Sequence, residues 1–520
     1  MTTNLGADRS LVMLKPNHST SPAPIPTGIN YISILVWTLV YLCVIGCIQL
    51  YSSYPYDTDT AYHAAVGGLI RKFGLLHSFP WTTFSIMSDR YADKELLFHL
   101  LFAPLSGLDY VTASRIVGTV GGTGVLLAIY LILQREGVRY AGIWALLPLT
   151  ASGFYVYRIA LVRPHLLSIT LALLLLWAVV RCRLWTITII SIIYPWAYVA
   201  FWQIPLLILI VATTARIIGK ERFRWEPIAA VAAGIIIGAG LHPNTMNLLH
   251  LNWAQMSVLK NSWQMKQGFD LGREFSPPTY DAWIAHLLPL VLATVISIAV
   301  ALYKRPRSIV QIAFILGSIV FCILTARTIR FIEYFVPFAA VSLAFASQHL
   351  SFKYFTHSTL IVTLVYTIMF GRDEIIRLSR RADDMPANVG NALRQLVPPE
   401  VQIFTPDWQC TGTFMLTLPG RRFIVALDPT FFYLKDPALY RIWYRVSREA
   451  PADTVDIIRE RFGARYVLFN YIAFKETFGP LFNRLSTEAR VKTLFRKDGL
   501  VLFDLGDAKF PSSSPPLLPN

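Results

Sequence analysis

Long apolar runs alternate with short charged clusters over most of the chain, from residue 31 to residue 370. The runs hold about 17–20 residues, the number that an α-helix needs to cross the roughly 30 Å hydrocarbon core of a bilayer. This pattern predicts an all-α membrane bundle of about eleven transmembrane helices. The predicted spans are residues 31–50, 116–133, 141–155, 164–180, 184–194, 196–218, 228–241, 285–303, 309–325, 331–346 and 354–370.

Pro195 leaves the division between the fifth and sixth spans open, because a proline either kinks one long helix or ends it. A further apolar stretch, residues 95–108, is interrupted by Pro104 and Gly107. We expect it to lie along the membrane interface or to re-enter the membrane.

The remaining segments divide the chain into domains. Residues 1–30 are polar and rich in Pro and Ser, which predicts a disordered cytoplasmic N-terminus before a retained anchor. Residues 31–371 form the membrane domain, with outer loops at 51–94 and 244–284. In residues 372–510, strand-like runs at 401–405, 423–427, 466–469 and 500–505 alternate with helical stretches. This alternation predicts a small extracytoplasmic α/β domain with a partly parallel sheet, followed by a disordered tail at 511–520.

Composition agrees with a membrane location, since 54% of the residues are apolar and 15% are charged, against about 25% charged in globular proteins. The net charge of +16 lies mostly in the loops between apolar runs, with no basic stripe carrying interleaved aromatic residues. This argues against nucleic acid and favours membrane lipid and phosphate-bearing partners. The five cysteines have neither disulfide-framework nor zinc-site spacing.

The basic loops also predict the orientation. The clusters at 135–139, 181–183, 220–224 and 304–307 fall on one side of the predicted bundle, which makes that side cytoplasmic. The loops 51–94 and 244–284 and everything after residue 372 then face outward.

The first outer loop carries the segment Asp57-Thr-Asp59-Thr-Ala-Tyr-His63 just beyond the first span. Asp57 and Asp59 share a side of an extended turn, and His63 lies one helical turn after Asp59. Three groups able to hold a proton or a metal would then converge at the membrane surface. The alternative is that Asp59 only caps the helix that runs on to Phe73, and that His63 is a structural histidine.

Two short outer turns carry arginines that depart from the positive-inside pattern. They contain Arg158, Arg163 and His165 in the first turn, and Arg327, Arg330 and Glu333 in the second. Guanidinium groups match phosphate oxygens, so these turns are candidates for binding an anionic lipid head group, with Glu333 in support. Structural ion pairs with nearby carboxylates, or snorkelling to the interface, would explain them equally well.

The late outer loop adds Glu274 just before Phe-Ser-Pro-Pro, and His242 precedes it at the end of the seventh span. Glu274 could be a positioned acid with His242 in support. It could also be an ordinary loop carboxylate paired with Arg273.

The Asp57–His63 segment resembles the aspartate loop of the GT-C superfamily of integral-membrane glycosyltransferases. In oligosaccharyltransferase catalytic subunits and protein O-mannosyltransferase-like enzymes, a motif Asp-x-x-Tyr-His or Asp-Pro-Tyr-x-His follows the first span, and Asp59 to His63 match that spacing. The turn Arg327-Thr-Ile-Arg330-Phe-Ile-Glu333 is similar to an arginine-bearing outer turn of bacterial relatives. The predicted topology of many spans followed by an outward globular domain is also similar.

The resemblance implies that Asp59 is the base or a metal ligand, that Asp57 assists, and that Glu274 is the acid of the late loop. It also implies a multi-pass protein of a bacterial-type inner or plasma membrane. If a divalent cation binds, Mg²⁺ or Mn²⁺, Asp59 would hold it. Oligosaccharyltransferases carry a second acidic pair where this chain has Arg158 and Arg163. This departure favours a metal-independent transferase that uses a monosaccharide-phosphate polyprenol.

These features together predict an inverting glycosyltransferase that moves a sugar from a polyprenyl-phosphate donor to an extracytoplasmic lipid, glycan or protein. The C-terminal domain is a candidate surface for a protein partner. Two alternatives remain open: a lipid-linked-sugar transporter or glycan polymerase, and a catalytically silent homologue that acts as an assembly subunit.

Overall fold

The structure, a computed structural model, describes residues 30–52, 55, 57–261, 273–304, 306, 308–350, 354–374, 376, 387–472 and 475–506. The predicted tail at 511–520, residues 1–29 of the predicted N-terminal segment and the centre of the 244–284 loop lie outside the described residues.

The described residues up to Phe370 are mainly helical. The helices are α1 Tyr31–Leu50, α2 Thr58–Phe73, α3 Leu96–Phe102, α4 Tyr110–Arg135, α5 Ala141–Trp144, α6 Leu147–Ala151, α7 Gly153–Ala160, α8 His165–Val180, α9 Leu184–Ala197, α10 Gln203–Ile218, α11 Glu226–Gly240, α12 Thr245–Asn261, α13 Tyr280–Ala282, α14 Leu288–Lys304, α15 Ile309–Arg327, α16 Ile332–Ser347 and α17 Phe355–Phe370. Single 3₁₀ turns lie at Ala103–Leu105, Arg273–Phe275 and Ile329–Phe331, and a π-helical turn at Trp283–Leu287 joins α13 to α14.

Five helical segments among the described residues are long and apolar enough to cross a membrane, and two bent pairs raise that number to seven if each pair is one span. The bends are 110° between α7 and α8 and 115° between α11 and α12. Five further apolar helices are shorter. A multi-pass membrane protein is therefore supported, while eleven spans stays a prediction. The predicted span 141–155 is divided among three short helices, α5, α6 and the start of α7.

The ambiguity at Pro195 has a structural answer. Helix α9 continues through Pro195 and ends at Ala197, where Tyr198 takes an extended conformation with φ −156° and ψ 142°. Helix α10 begins at Gln203. Two helices are thus present, but their break follows the proline instead of falling on it.

Helix α16 lies at the centre of the helical part, since every residue from Ile332 to Ser347 is buried. It packs against α14 and α15. Phe321 of α15 stacks on Tyr334 with ring centroids 5.0 Å apart, and Gly317 leaves room for the ring of Phe338. The outermost helices instead expose large apolar side chains, Leu35 and Leu39 of α1 among them. That distribution suits a hydrocarbon environment.

The C-terminal part contains a four-stranded sheet with strand order β1-β2-β4-β3. The strands are β1 Ile403–Phe404, β2 Tyr466–Asn470, β3 Lys492–Lys497 and β4 Leu500–Asp504, and the helices are α18 Ala387–Leu396, α19 Thr411–Thr417, α20 Thr430–Lys435, α21 Pro437–Glu449, α22 Thr454–Arg461 and α23 Lys475–Thr487. The β1–β2 pair is parallel and the other two are antiparallel. Residues 423–427, predicted as a strand, form no named strand. Phe423 instead makes an isolated bridge with Thr82 of the first outer loop.

The C-terminal part packs directly on α2, the helix that carries Asp59. A Cβ placed on Gly412 of α19 would lie 2.9 Å from the carbonyl oxygen of Thr58 and 2.9 Å from the Cβ of Tyr62. Glycine is therefore what allows α19 and α2 to approach so closely. The position of the candidate site consequently depends on the C-terminal part.

Candidate active site

The first carboxylate of the candidate site caps a helix. Asp57 adopts an extended conformation before α2, and its Oδ1 accepts a hydrogen bond of 3.0 Å from the Asp59 backbone N–H. Asp59 therefore lies inside the first turn and is not the cap that the sequence suggested as an alternative. A carboxylate in this turn also faces the positive end of the helix.

Arg163, from the turn between α7 and α8, links the carboxylates of both outer loops. Its guanidinium binds Asp57 through two nitrogens, with Nη2 at 2.8 Å from Oδ1. Nη2 also lies 3.1 Å from Asp59 Oδ2, and Nη1 donates to Glu274 Oε2 at 3.5 Å. The two predicted loops therefore meet at one arginine.

Two more arginines surround Glu274. Arg158 Nη1 donates to Glu274 Oε2 at 3.1 Å, and its Nε donates to Glu333 Oε1 at 2.8 Å. Arg330 Nη1 donates to Glu274 Oε1 at 3.2 Å and its Nη2 to the Tyr198 hydroxyl at 3.4 Å. The structure thus brings Asp57, Asp59, Glu274, Glu333, Arg158, Arg163 and Arg330 together. Glu274 pairs with these three arginines. The sequence suggested only its neighbour Arg273 as a partner.

The carboxyls of Asp59 and Glu274 differ in proton affinity. Removal from water raises the pKa of Asp59 to about 7, the Arg163 charge opposes the rise, and the Asp57 charge adds to it. Burial would raise the pKa of Glu274 as well, but the arginines around it hold that pKa well below its usual range. Asp59 can therefore exchange a proton near neutral pH, whereas Glu274 stays ionised.

Exposure separates accessible groups from structural ones. The side chains of Asp59, Glu274 and Arg330 remain 23%, 25% and 30% exposed, whereas those of Arg158 and Glu333 are 5% and 0% exposed. A substrate can reach the first three groups. The Arg158–Glu333 pair instead joins α7 to the central helix α16.

Arg327 and His165 were predicted to bind phosphate, but neither side chain lies among the ion-paired groups of the cluster. Arg327, at the end of α15, has an exposed side chain, and neither a hydrogen bond nor an ion pair joins that side chain to any other described residue. His165 is buried and its Nε2 lies 2.9 Å from the Arg158 carbonyl oxygen, to which it donates. The geometry therefore gives His165 a role in positioning Arg158 and leaves Arg327 outside the cluster.

His63 turns away from Asp57 and Asp59, contrary to the predicted convergence of the three. Its Nδ1 lies 2.9 Å from His99 Nε2, and His99 Nδ1 lies 2.7 Å from Asp93 Oδ1. Burial holds the pKa of His63 well below its usual range, and the nearby His99 adds to this effect. The sequence patterns considered above do not identify this second group of buried side chains as a unit. Only the spacing Asp93-Lys-Glu95-x₃-His99 signals it.

His242 supports the same region through the backbone. Its Nε2 lies 3.0 Å from the Asp93 carbonyl oxygen, to which it donates, and its Nδ1 accepts from the Asn244 N–H at 3.1 Å. Both ring nitrogens are therefore used structurally, and His242 makes no contact with Glu274.

A divalent cation at Asp59 fits this arrangement poorly. The point where Asp57, Asp59 and Glu274 converge is taken by the Arg163 guanidinium. Mg²⁺ and Mn²⁺ prefer several carboxylate or water oxygens around them, and a cation here would meet the arginine charge directly. The Arg163 guanidinium therefore already places a positive charge at this point.

The basic loops lie at the opposite end of the helices. Arg181 pairs with Glu136, and Arg216 Nη1 donates to the Val180 carbonyl oxygen at 3.1 Å. Helix α8 runs from His165, beside the site, to Val180 at this basic end. The carboxylate–arginine cluster and the basic loops are thus separated by the length of α8.

The fold is similar to that of solved integral-membrane glycosyltransferases, as the resemblance implied. Among solved structures, ArnT from Cupriavidus metallidurans bound to undecaprenyl phosphate is 14% identical, with a TM-score of 0.55 over 91% of this chain and 98% of that one. Archaeoglobus fulgidus oligosaccharyltransferase tethered to an acceptor peptide is 12% identical, with a TM-score of 0.54 over 84% and 69%. Mycobacterial arabinofuranosyltransferase AftD is 12% identical, with a TM-score of 0.55 over 92% of this chain and 40% of that longer one. Such low identities establish the fold alone.

No protein-family model and no curated protein matches the sequence.

Proposed function

We propose that the chain is an inverting glycosyltransferase that takes a sugar from a polyprenyl-phosphate donor and passes it to an extracytoplasmic lipid, glycan or protein. The observation that carries this proposal is the position of Asp59. It is a partly exposed carboxyl with a pKa of about 7, beside the guanidinium of Arg163 and in the same cluster as Arg330. A proton acceptor next to phosphate-binding groups is what such a transfer needs.

In the proposed reaction the acceptor O–H or N–H attacks the anomeric carbon of the donor sugar. The bond from that carbon to the phosphate oxygen breaks, and both of its electrons leave with the polyprenyl phosphate. Asp59 takes the acceptor proton and becomes a carboxylic acid. Because attack and departure occur on opposite faces of the sugar, the anomeric configuration inverts.

Negative charge grows on the leaving phosphate during this step. Arg330 and Arg163 are the arginines of the cluster that retain exposure, so we assign them to the phosphate. Arg158 is committed to Glu274 and Glu333, and we assign it to holding the cluster together. Glu274 keeps the guanidiniums in place instead of exchanging a proton. ArnT bound to undecaprenyl phosphate supports a polyprenyl-phosphate donor for this fold.

The same proposal places the site outside the cytoplasm. Helix α8 separates the cluster from the basic loops, and basic loops favour the cytoplasmic side. Since the C-terminal part packs on α2, it would lie on the outer side too, where it could contact an acceptor or a protein partner. A bacterial-type inner or plasma membrane agrees with this orientation.

A liposome assay with two labels tests the proposal. The purified full chain is reconstituted with a polyprenyl-phosphate monosaccharide that is labelled in both sugar and lipid. Transfer predicts that the sugar label moves to the acceptor while the lipid label stays as polyprenyl phosphate. Movement of the intact donor across the bilayer without cleavage would identify a transporter instead. If the donor is neither cleaved nor moved across a panel of sugars, an assembly subunit is supported and the transferase proposal fails.

A further inference from the structure

A second cluster of ligand-type side chains lies one helical turn beyond Asp59. His63 of α2, Glu95 and His99 of α3 each offer one ligand atom, and these atoms all lie within 4.8 Å of one another. All three residues are buried. The His63 Nδ1 to His99 Nε2 distance is 2.9 Å, and the His63 Nδ1 to Glu95 Oε2 distance is 4.0 Å.

One of these two distances is shorter, and the other longer, than the distance between two ligand atoms bound to the same cation. Zn²⁺ bound tetrahedrally at about 2.0–2.1 Å places its ligand atoms about 3.3 Å apart. The two imidazoles would have to separate by a few tenths of an ångström, and the Glu95 carboxylate would have to approach. Side-chain rotation alone can supply shifts of that size. Two neutral imidazoles and one carboxylate are also a ligand set that catalytic zinc sites use.

An independent observation concerns the orientation of His99. Asp93 lies with both carboxylate oxygens near His99 Nδ1, at 2.7 and 2.9 Å. The Nδ1–H therefore donates to Asp93, and the lone pair of Nε2 points at His63. A carboxylate that fixes the tautomer in this way is the usual support behind a metal-binding histidine. His242 in turn holds the backbone carbonyl of Asp93.

We propose that His63, Glu95 and His99 form a binding site for a Zn²⁺-like divalent cation, with Asp93 as the positioning residue. His63 takes the Nε2–H tautomer when the cation binds, so that the lone pairs of both rings face it. A water fills the fourth position from the small cavity lined by Tyr62, Tyr91 and Glu95. The carboxylates of Asp93 and Glu95 offset the nearby charge of Lys94.

The cation would tie α2 to the segment from Asp93 to His99. Asp59 lies one turn before His63 on the same helix, so the site would fix the position of Asp59 without touching a substrate. This role is structural. The inference depends on the geometry of four side chains and does not require that the protein transfers sugar.

Zinc content and zinc-dependent stability test the proposal directly. The full chain in detergent is stripped with a chelator, incubated with ZnCl₂, desalted and analysed by elemental mass spectrometry. Wild type is expected to retain about one zinc per chain and to unfold at a higher temperature with zinc than without it. His99→Gln and Glu95→Gln should lose both effects, and Asp93→Asn should weaken zinc binding by about 10- to 100-fold. The exposed histidine variant His250→Gln is the matched control and should behave as wild type.

Two results would overturn the proposal. In one, wild type retains no zinc and shows no zinc-dependent change in unfolding temperature. In the other, Glu95→Gln and His99→Gln retain as much zinc as wild type, which would place the metal elsewhere. If His99→Gln does not fold, Glu95→Gln and Asp93→Asn decide the question. Under either of the two overturning results, His63 and His99 form only a buried hydrogen bond.

Discussion

The carboxyl groups of the cluster differ in how many hydrogen-bond and ion-pair partners they have. This difference decides which of them is available as a base. Asp57 caps α2 and also binds the Arg163 fork, so its oxygens are occupied. Glu274 faces three guanidiniums. Asp59 has a single ion pair at 3.1 Å and retains access to the surroundings. A base must be able to gain and lose a proton, and Asp59 combines access with a pKa near neutrality.

This difference predicts a pH dependence. Transfer requires the Asp59 carboxylate, so the rate should rise with pH through a pKa of about 7. The negative charge of Asp57 raises the pKa of Asp59, so Asp57→Asn should lower that pKa and move the rising limb of the profile to lower pH. The measurement is kcat/KM for transfer against pH in both proteins. A limb that stays in place or moves to higher pH would contradict the assignment.

The buried pair predicts an effect on stability. Arg158→Gln leaves the Glu333 carboxylate buried without its cation, so we expect a loss of about 3–5 kcal/mol in the free energy of unfolding. Replacing both residues by Leu should recover most of that loss. Arg327→Gln is the control, because that arginine is exposed and lies outside the cluster. Denaturant unfolding in detergent measures the three variants and wild type. Equal stability of Arg158→Gln and wild type would show that the pair is not structural.

At the scale of the secondary-structure elements, the apolar pattern predicted the helices well, because the length of an apolar run is set by the thickness of the membrane core. Each predicted span from residue 31 to residue 370 coincides with helical structure. Strand β3 was missed because its residues Lys492–Lys497 are largely exposed and polar, as edge strands often are. The ion pairs could not be predicted, since Arg163 and Asp57 lie 106 residues apart and Arg158 and Glu333 lie 175 apart. The packing of the helices in three dimensions determines which of these distant residues become ion-pair partners.

The close contact between α19 and α2 carries the element-scale prediction. Gly412→Val would push α19 away from the start of α2, because its side chain would overlap Thr58 and Tyr62. We expect about 1–3 kcal/mol of destabilisation and a fall in transfer rate as Asp59 shifts. Gly479→Ala is the matched control, since no heavy atom lies within 4 Å of the added carbon. Thermal unfolding and transfer assays check both variants. Wild-type transfer by Gly412→Val would show that Asp59 does not depend on this contact.

At the scale of the whole molecule, the helices set two chemically different ends apart. One end holds the carboxylate–arginine cluster and the C-terminal part. The other end holds the basic loops, where Arg181 pairs with Glu136 and Arg216 donates to the Val180 carbonyl oxygen. A donor lipid could place its chain beside the exposed apolar helix surfaces and its phosphate at the first end. The orientation of the molecule in the membrane is therefore part of the functional proposal.

Cysteine labelling tests that orientation. In a variant whose native cysteines are replaced by Ser, Asp281→Cys lies near the cluster end and Arg222→Cys near the basic end, and both positions are exposed. A membrane-impermeant maleimide applied to intact cells or spheroplasts should label Asp281→Cys, and should label Arg222→Cys only after permeabilisation. The reverse pattern would place the cluster in the cytoplasm.

Charge removal at Asp59 is the most direct test of the central claim. Asp59→Asn keeps the size of the side chain and removes its basicity, whereas Asp281→Asn makes the same change at an exposed position outside the cluster. With the polyprenyl-phosphate sugar donor at saturation, we expect Asp59→Asn to lower kcat by at least about 100-fold while donor binding persists, and Asp281→Asn to match wild type. Transfer by a folded Asp59→Asn protein at the wild-type rate would contradict the account.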